Sequence, residues 1–174
     1  MTRISPSDKI QLAEENLKRV ASWITHSDQK VGISLLIQGG LLGFLTTTRA
    51  EDIKKIISQP FDLLHFVLYL LLILFIFFIL KGGFYSYKAL FPDVQSRESS
   101  LFFFGSIAGM GLTQFKREFS QLTEDAVEDQ LNNQTFITSQ IALSKFQNVK
   151  AVISNTCLAG ISWISILAII AFIK

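Results

Sequence analysis

The chain has 174 residues, 49% of them hydrophobic, a formal net charge of +2 and one cysteine, Cys157. That length has room for one modest domain. The charge is too small for a protein that wraps a nucleic-acid polymer, and one cysteine excludes an intrachain disulfide and any Cys/His zinc spacing. Sixteen phenylalanines against three tyrosines and two tryptophans suit packing and lipid contact more than wet interfaces.

The first thirty residues lack the apolar core of a signal peptide, so the N-terminus is expected to stay on the mature protein. Ser5-Pro6 predicts a helix start, with serine as cap and proline at the first helical position. Asp8 follows in the first turn, where the helix dipole favours an acid. Ile10, Ala13, Leu17, Val20, Ala21 and Ile24 then share one face, with Lys9, Glu14, Glu15, Lys18 and Arg19 on the others, predicting an amphipathic N-terminal helix. It is expected to pack on other cytoplasmic segments or to lie among lipid headgroups.

After the polar belt Thr25 to Lys30 comes Val31 to Thr48, eighteen residues without a charge, the first expected span. Gly39 and Gly43 stand four apart, a spacing that lets membrane helices approach closely. Gln38 is costly against lipid and is expected to face protein or a wet cavity. Residues 49–62 read as a short external linker of mixed charge, with Pro60 punctuating its end.

Leu63 to Leu80 is a second charge-free run of eighteen residues, Leu-Leu-His-Phe-Val-Leu-Tyr-Leu-Leu-Leu-Ile-Leu-Phe-Ile-Phe-Phe-Ile-Leu. As a helix it measures about 27 Å, close to the hydrocarbon thickness of a bilayer. It is apolar all round, and a chain of this size cannot wrap such a helix on every side. It reads as the second span and the most lipid-exposed one. Phe84, Tyr85 and Tyr87 follow at the expected water boundary.

Residues 81–150 form the longest soluble stretch, expected to be a small helical cytoplasmic domain. Leu101 to Ile107 is a short apolar run that periodicity assigns to neither helix nor strand. Leu112 to Leu122 places Phe115, Phe119 and Leu122 at helical spacing, with Lys116, Arg117 and Glu118 outward. Thr123 reads as the cap of another helix, with Glu124 and Asp125 in its first turn. No proline interrupts the chain from there to its end. Asn132, Asn133 and Gln134 suggest polar contacts within that helix. Residues 151–173 form a third apolar run; Asn155, Ala159 and Ser162 share a face expected to pack on the Val31–Thr48 helix.

These readings make an all-α integral membrane protein with three spans. Lysines and arginines concentrate before Val31 and between Lys81 and Lys150, which places the N-terminus and the long loop inside and the C-terminus outside. The linker, with Arg49, Lys54 and Lys55, weighs slightly against this. No catalytic constellation appears. His26 and His65 lack metal-ligand partners at useful spacing, no phosphate-cradling glycine loop is present, and an enzyme is not expected.

Three groups of residues carry a family resemblance. They are Asp28-x-Lys30 before the first span, Ser100-Leu101-Phe102-Phe103-Phe104-Gly105-Ser106-Ile107 in the long loop, and Asn133 with Ser139-Gln140-Ile141-Ala142 and Lys145-Phe146 leading into the last span. In order and placement they resemble the small transmembrane effectors of Pycsar, a bacterial antiphage system built on cyclic pyrimidine nucleotides. The likeness runs from about Leu12 to Ile173; Gln140 and Phe146 stand where the family pattern has lysine and tyrosine. The resemblance implies that an adjacent cyclase answers infection by making cyclic CMP or cyclic UMP. The effector would bind this messenger, with no other cofactor, and disrupt the bacterial inner membrane, so that the cell dies before phage mature; separately, a homo-oligomer is expected.

A cyclic nucleotide offers one phosphate charge and a flat base, so its receptor wants cations beside an aromatic wall. The cytoplasmic stretch offers Arg97, Lys116, Arg117 and Lys145 as cations, and Phe102, Phe103, Phe104 and Phe115 as walls. Two rival readings dispense with the ligand: a constitutive membrane scaffold whose cytoplasmic domain binds only protein, and a holin-like pore former.

Overall fold

The computed structural model describes residues 5–58, 62–92 and 100–173, and every regular element among them is an α-helix. The helices are α1 (Pro6–Thr48), α2 (Ala50–Ile57), α3 (Leu63–Leu90), α4 (Phe104–Gly109), α5 (Leu112–Ser120) and α6 (Glu124–Ile173). Pro60 and Arg97 lie outside the described residues. Three of the helices, α1, α3 and α6, are long and apolar enough to cross a membrane.

Local chemistry sets the helix starts. The Ser5 hydroxyl accepts from the Asp8 N–H at 3.2 Å, and the Thr123 hydroxyl accepts from the Ala126 N–H at 3.3 Å. Asp62 caps α3, its carboxylate accepting from the His65 backbone N–H at 3.0 Å and the His65 ring at 2.7 Å. Each satisfies donors that a helix leaves unpaired in its first turn.

Two details add to the sequence reading. The belt from Thr25 to Lys30 does not end a helix: α1 runs through it for 43 residues. The belt holds neither glycine nor proline, and the Thr25 hydroxyl bonds back to the Ala21 carbonyl, so nothing in it breaks the backbone ladder. The linker after the first span is not merely a linker, because it contains α2.

The chain divides into two compact units. One comprises Met1–His26 and Pro92–Lys145, the other Ser27–Phe91 and Phe146–Lys174. In the first, Ala13, Val20, Leu101, Leu131 and Ala142 are buried, while Leu12 and Trp23 are exposed. Lys9 pairs with Glu128 at 3.6 Å, a half-exposed contact worth at most about 1 kcal/mol.

The second unit carries the apolar core. Leu45, Leu68, Phe75, Ala159, Ile166 and Ile170 form one buried cluster, joined by Ile56 from α2. α2 therefore turns Ile53 and Ile56 inward and leaves Lys54 and Lys55 exposed. A second cluster joins Val31, Ala89 and Val149, which puts those positions of α1, α3 and α6 at one level. The apolar window of α3 is the least buried, at 17% of its residues against 22% for α1 and 33% for α6. The most hydrophobic helix is thus the one least covered within the chain.

Candidate functional site

In the first unit, a side chain of α6 bonds the segment before α4. Gln130, on α6, points its Oε1 at the chain turn and accepts from the Leu101 backbone N–H at 2.9 Å and the Ser100 hydroxyl at 3.4 Å. The Ser100 oxygen in turn accepts from the Phe102 N–H at 3.1 Å. Leu101 is buried, so its amide would otherwise be an orphan donor away from water. Sequence reasoning singled out Ser100 to Ile107 but passed over Gln130. A lone glutamine on a helix carries no local signal that it serves another segment.

Phe103 is partly buried. Its ring lies 4.8 Å from that of Phe104 and folds back over Gly105, where an added Cβ would come within 2.6 Å of the Phe103 Cε1. Gly105 thus gives the ring its resting place. Lys116 and Arg117 are exposed on α5, where Phe115 and Phe119 stack at 5.7 Å. Lys145 is buried, with 5% of its surface exposed. A buried ammonium needs a partner, and Lys145 is engaged rather than free. Phe103 precedes α4 while Phe115, Lys116 and Arg117 share α5, and Arg97 lies outside the described residues.

In the second unit, a polar seam runs through the apolar core. Gln38 is 4% exposed and donates from Nε2 to the Thr156 hydroxyl at 2.6 Å. The Thr156 hydroxyl in turn donates to the Val152 carbonyl at 2.9 Å. Gly82 of α3 makes the room: a Cβ there would stand 2.5 Å from Gln38 Nε2. One turn on, Ser86 bonds back to the Gly82 carbonyl at 2.9 Å. Asn155 and Ser162 are each 6% exposed, and bond back to the carbonyls of Ala151 and Leu158. They bring their polar groups into the packed face already satisfied.

The close approach expected at Gly39 and Gly43 is not made inside the chain. An added Cβ at either would meet nothing within 4 Å, whereas in this unit Gly82 is tight against Gln38. A four-residue spacing marks a face, but it does not say which way that face turns.

The same unit holds a hollow of about 220 Å³, lined by Lys30, Phe146, Val149, Lys150 and Ile153. The Lys30 ammonium stands 5.8 Å from the centre of the Phe146 ring. Two of the positions that carried the sequence resemblance, distant in the chain, thus meet in space. Elsewhere, no group of three or more His, Cys, Asp or Glu side chains among the described residues could hold a metal ion.

Comparison with known proteins places these features. The family model for the Pycsar effector protein domain, PycTM, matches residues 12–173. The chain is 24% identical over 164 residues to the Pycsar effector protein GmPycTM of Gulbenkiania mobilis, covering 83% of this chain and 84% of the relative. No solved structure matches.

Proposed function

The chain belongs to the Pycsar effector protein family, and on that premise we propose that it is a nucleotide-gated effector that kills by breaching the inner membrane. It is a transmembrane protein of antiphage defence. In this reading a neighbouring cyclase supplies cyclic CMP or cyclic UMP, and the effector binds it without catalysing any reaction. Bound copies assemble as a homo-oligomer and open the bilayer, ending the infection with the cell. The N-terminus and the long loop face the cytoplasm, and the C-terminus faces outward.

One observation supports this above the rest. α6 is a single helix from Glu124 to Ile173. Near its start it carries Gln130, which holds the segment before α4; further on it carries an apolar window able to span. A ligand bound beside the first part of such a helix would act on the same continuous element that enters the bilayer. It shifts the balance of states only by binding them unequally.

The test uses the full chain in dye-loaded vesicles of phosphatidylethanolamine and phosphatidylglycerol. Cyclic CMP or cyclic UMP, and not cyclic AMP, is expected to release the dye. Alanine variants at Arg97, Lys116, Arg117 and Lys145 then report which cations the messenger uses. Release without any nucleotide would favour a constitutive pore, and no release with either pyrimidine nucleotide would sink the gated reading.

A further inference from the structure

We propose that the hollow between Lys30 and Lys150 is a binding site for an anionic phospholipid. The two ammonium groups would hold the phosphate, and the acyl chains would run past Ile153. This inference stands apart from the gating ligand, because it rests on the second unit alone.

The position argues first. Lys30 and Lys150 are the last charges before the apolar runs that begin at Val31 and Ala151. Val31 packs with Ala89 and Val149, so the ends of these runs lie level with the close of α3. There Lys88 stands 4.7 Å over the Phe84 ring, and Phe84 and Tyr87 are exposed. Lysines beside exposed aromatic rings at the edge of apolar helices mark the headgroup level of a bilayer.

The chemistry argues second. Neither Lys30 nor Lys150 has an ion pair among the described residues, so two positive charges flank the hollow uncompensated. Its other walls, Phe146, Val149 and Ile153, are apolar, and Ile153 already belongs to the third apolar run. A phosphodiester with aliphatic tails matches both halves of that lining. A free cyclic nucleotide shares the phosphate but matches less well. Its base needs hydrogen-bond acceptors as well as donors, and the lining side chains offer only lysine donors. Lysines are also point charges, without the planar fork that arginine presents to a free phosphate.

The full chain would be placed in nanodiscs of equal phosphatidylglycerol and phosphatidylcholine, and its retained lipids counted by native mass spectrometry. The parent is expected to keep phosphatidylglycerol over phosphatidylcholine. Lys30→Gln/Lys150→Gln should lower that preference about tenfold, while Lys30→Arg/Lys150→Arg keeps it. Lys18→Gln/Arg19→Gln, which removes the same charge from the first unit, should also keep it. Equal retention of the two lipids by the parent overturns the proposal and needs no variant to fold. So does an unchanged preference in the glutamine pair, or an equal loss in the Lys18/Arg19 pair. Displacement of phosphatidylglycerol by millimolar cyclic CMP would assign the hollow to a free phosphate and overturn it as well.

Discussion

Gln38 and Thr156, from two different helices, meet in a 2.6 Å hydrogen bond inside the apolar core. The bond exists because Gly82, on a third helix, has no side chain to fill the space that the amide occupies. Three helices thus share one polar contact, and each residue type is needed for a different reason: a long donor, a short acceptor and an absence.

Gly82→Ala puts a methyl group 2.5 Å from Gln38 Nε2. The amide is the end of a flexible side chain, so the expected response is that it swings away and loses Thr156. Unfolding in detergent micelles should show a loss of about 1 kcal/mol. Gly39→Ala and Gly43→Ala meet nothing inside the chain, and should be neutral or stabilising by up to about 1 kcal/mol. Their loss of killing with unchanged stability would instead point to a contact between copies.

Thr156→Val removes the acceptor and leaves the buried Gln38 amide unpaired, with an expected cost of about 1–2 kcal/mol. Thr156→Ser keeps the hydroxyl and should cost much less. Combining Thr156→Val with Gln38→Leu removes both partners, so the pair should cost less than the sum of the two singles. Additive losses would show that the bond contributes nothing to folding.

Gln130→Leu deprives the Leu101 N–H of its acceptor. Amide exchange at Leu101 is expected to quicken by about tenfold. Gln130→Glu keeps an acceptor oxygen and should preserve protection. Unchanged exchange in Gln130→Leu would mean that the segment before α4 is held by other contacts.

Asp62 supplies the acid-sensitive cap. The His65 backbone N–H and then the His65 ring hold its carboxyl below the ordinary value of 3.8. The depressed group stabilises the start of α3 above that ordinary value, and the contribution is lost as pH falls through the lower folded value. Protection of the His65 and Phe66 amides should therefore be flat from pH 7 to 5 and fall below about pH 4. In Asp62→Asn the cap carries no charge, and this acid step should vanish. A step that persists in the asparagine variant would assign it to another carboxyl.

Much of the architecture was legible residue by residue. Charge-free runs at 31–48, 63–80 and 151–173 dictate spans, because leaving lipid exposes apolar surface and entering it as anything but a helix strands backbone donors. Ser5 and Thr123 mark helix starts because the first turn has unpaired N–H groups wherever it occurs. The absence of proline after Thr123 allows α6 its full length. These are local rules, satisfied before any helix meets another. The choice of Gly82 over Gly39 and Gly43 as the tight glycine was not legible, nor were the pairing of Gln38 with Thr156, the reach of Gln130 to Leu101, the seating of Ile56 in the core and the meeting of Lys30 with Phe146. Each depends on how far a helix is turned about its axis and slid along its neighbour. A rotation of one residue moves a side chain by about 100°, so that setting comes from packing the whole core at once.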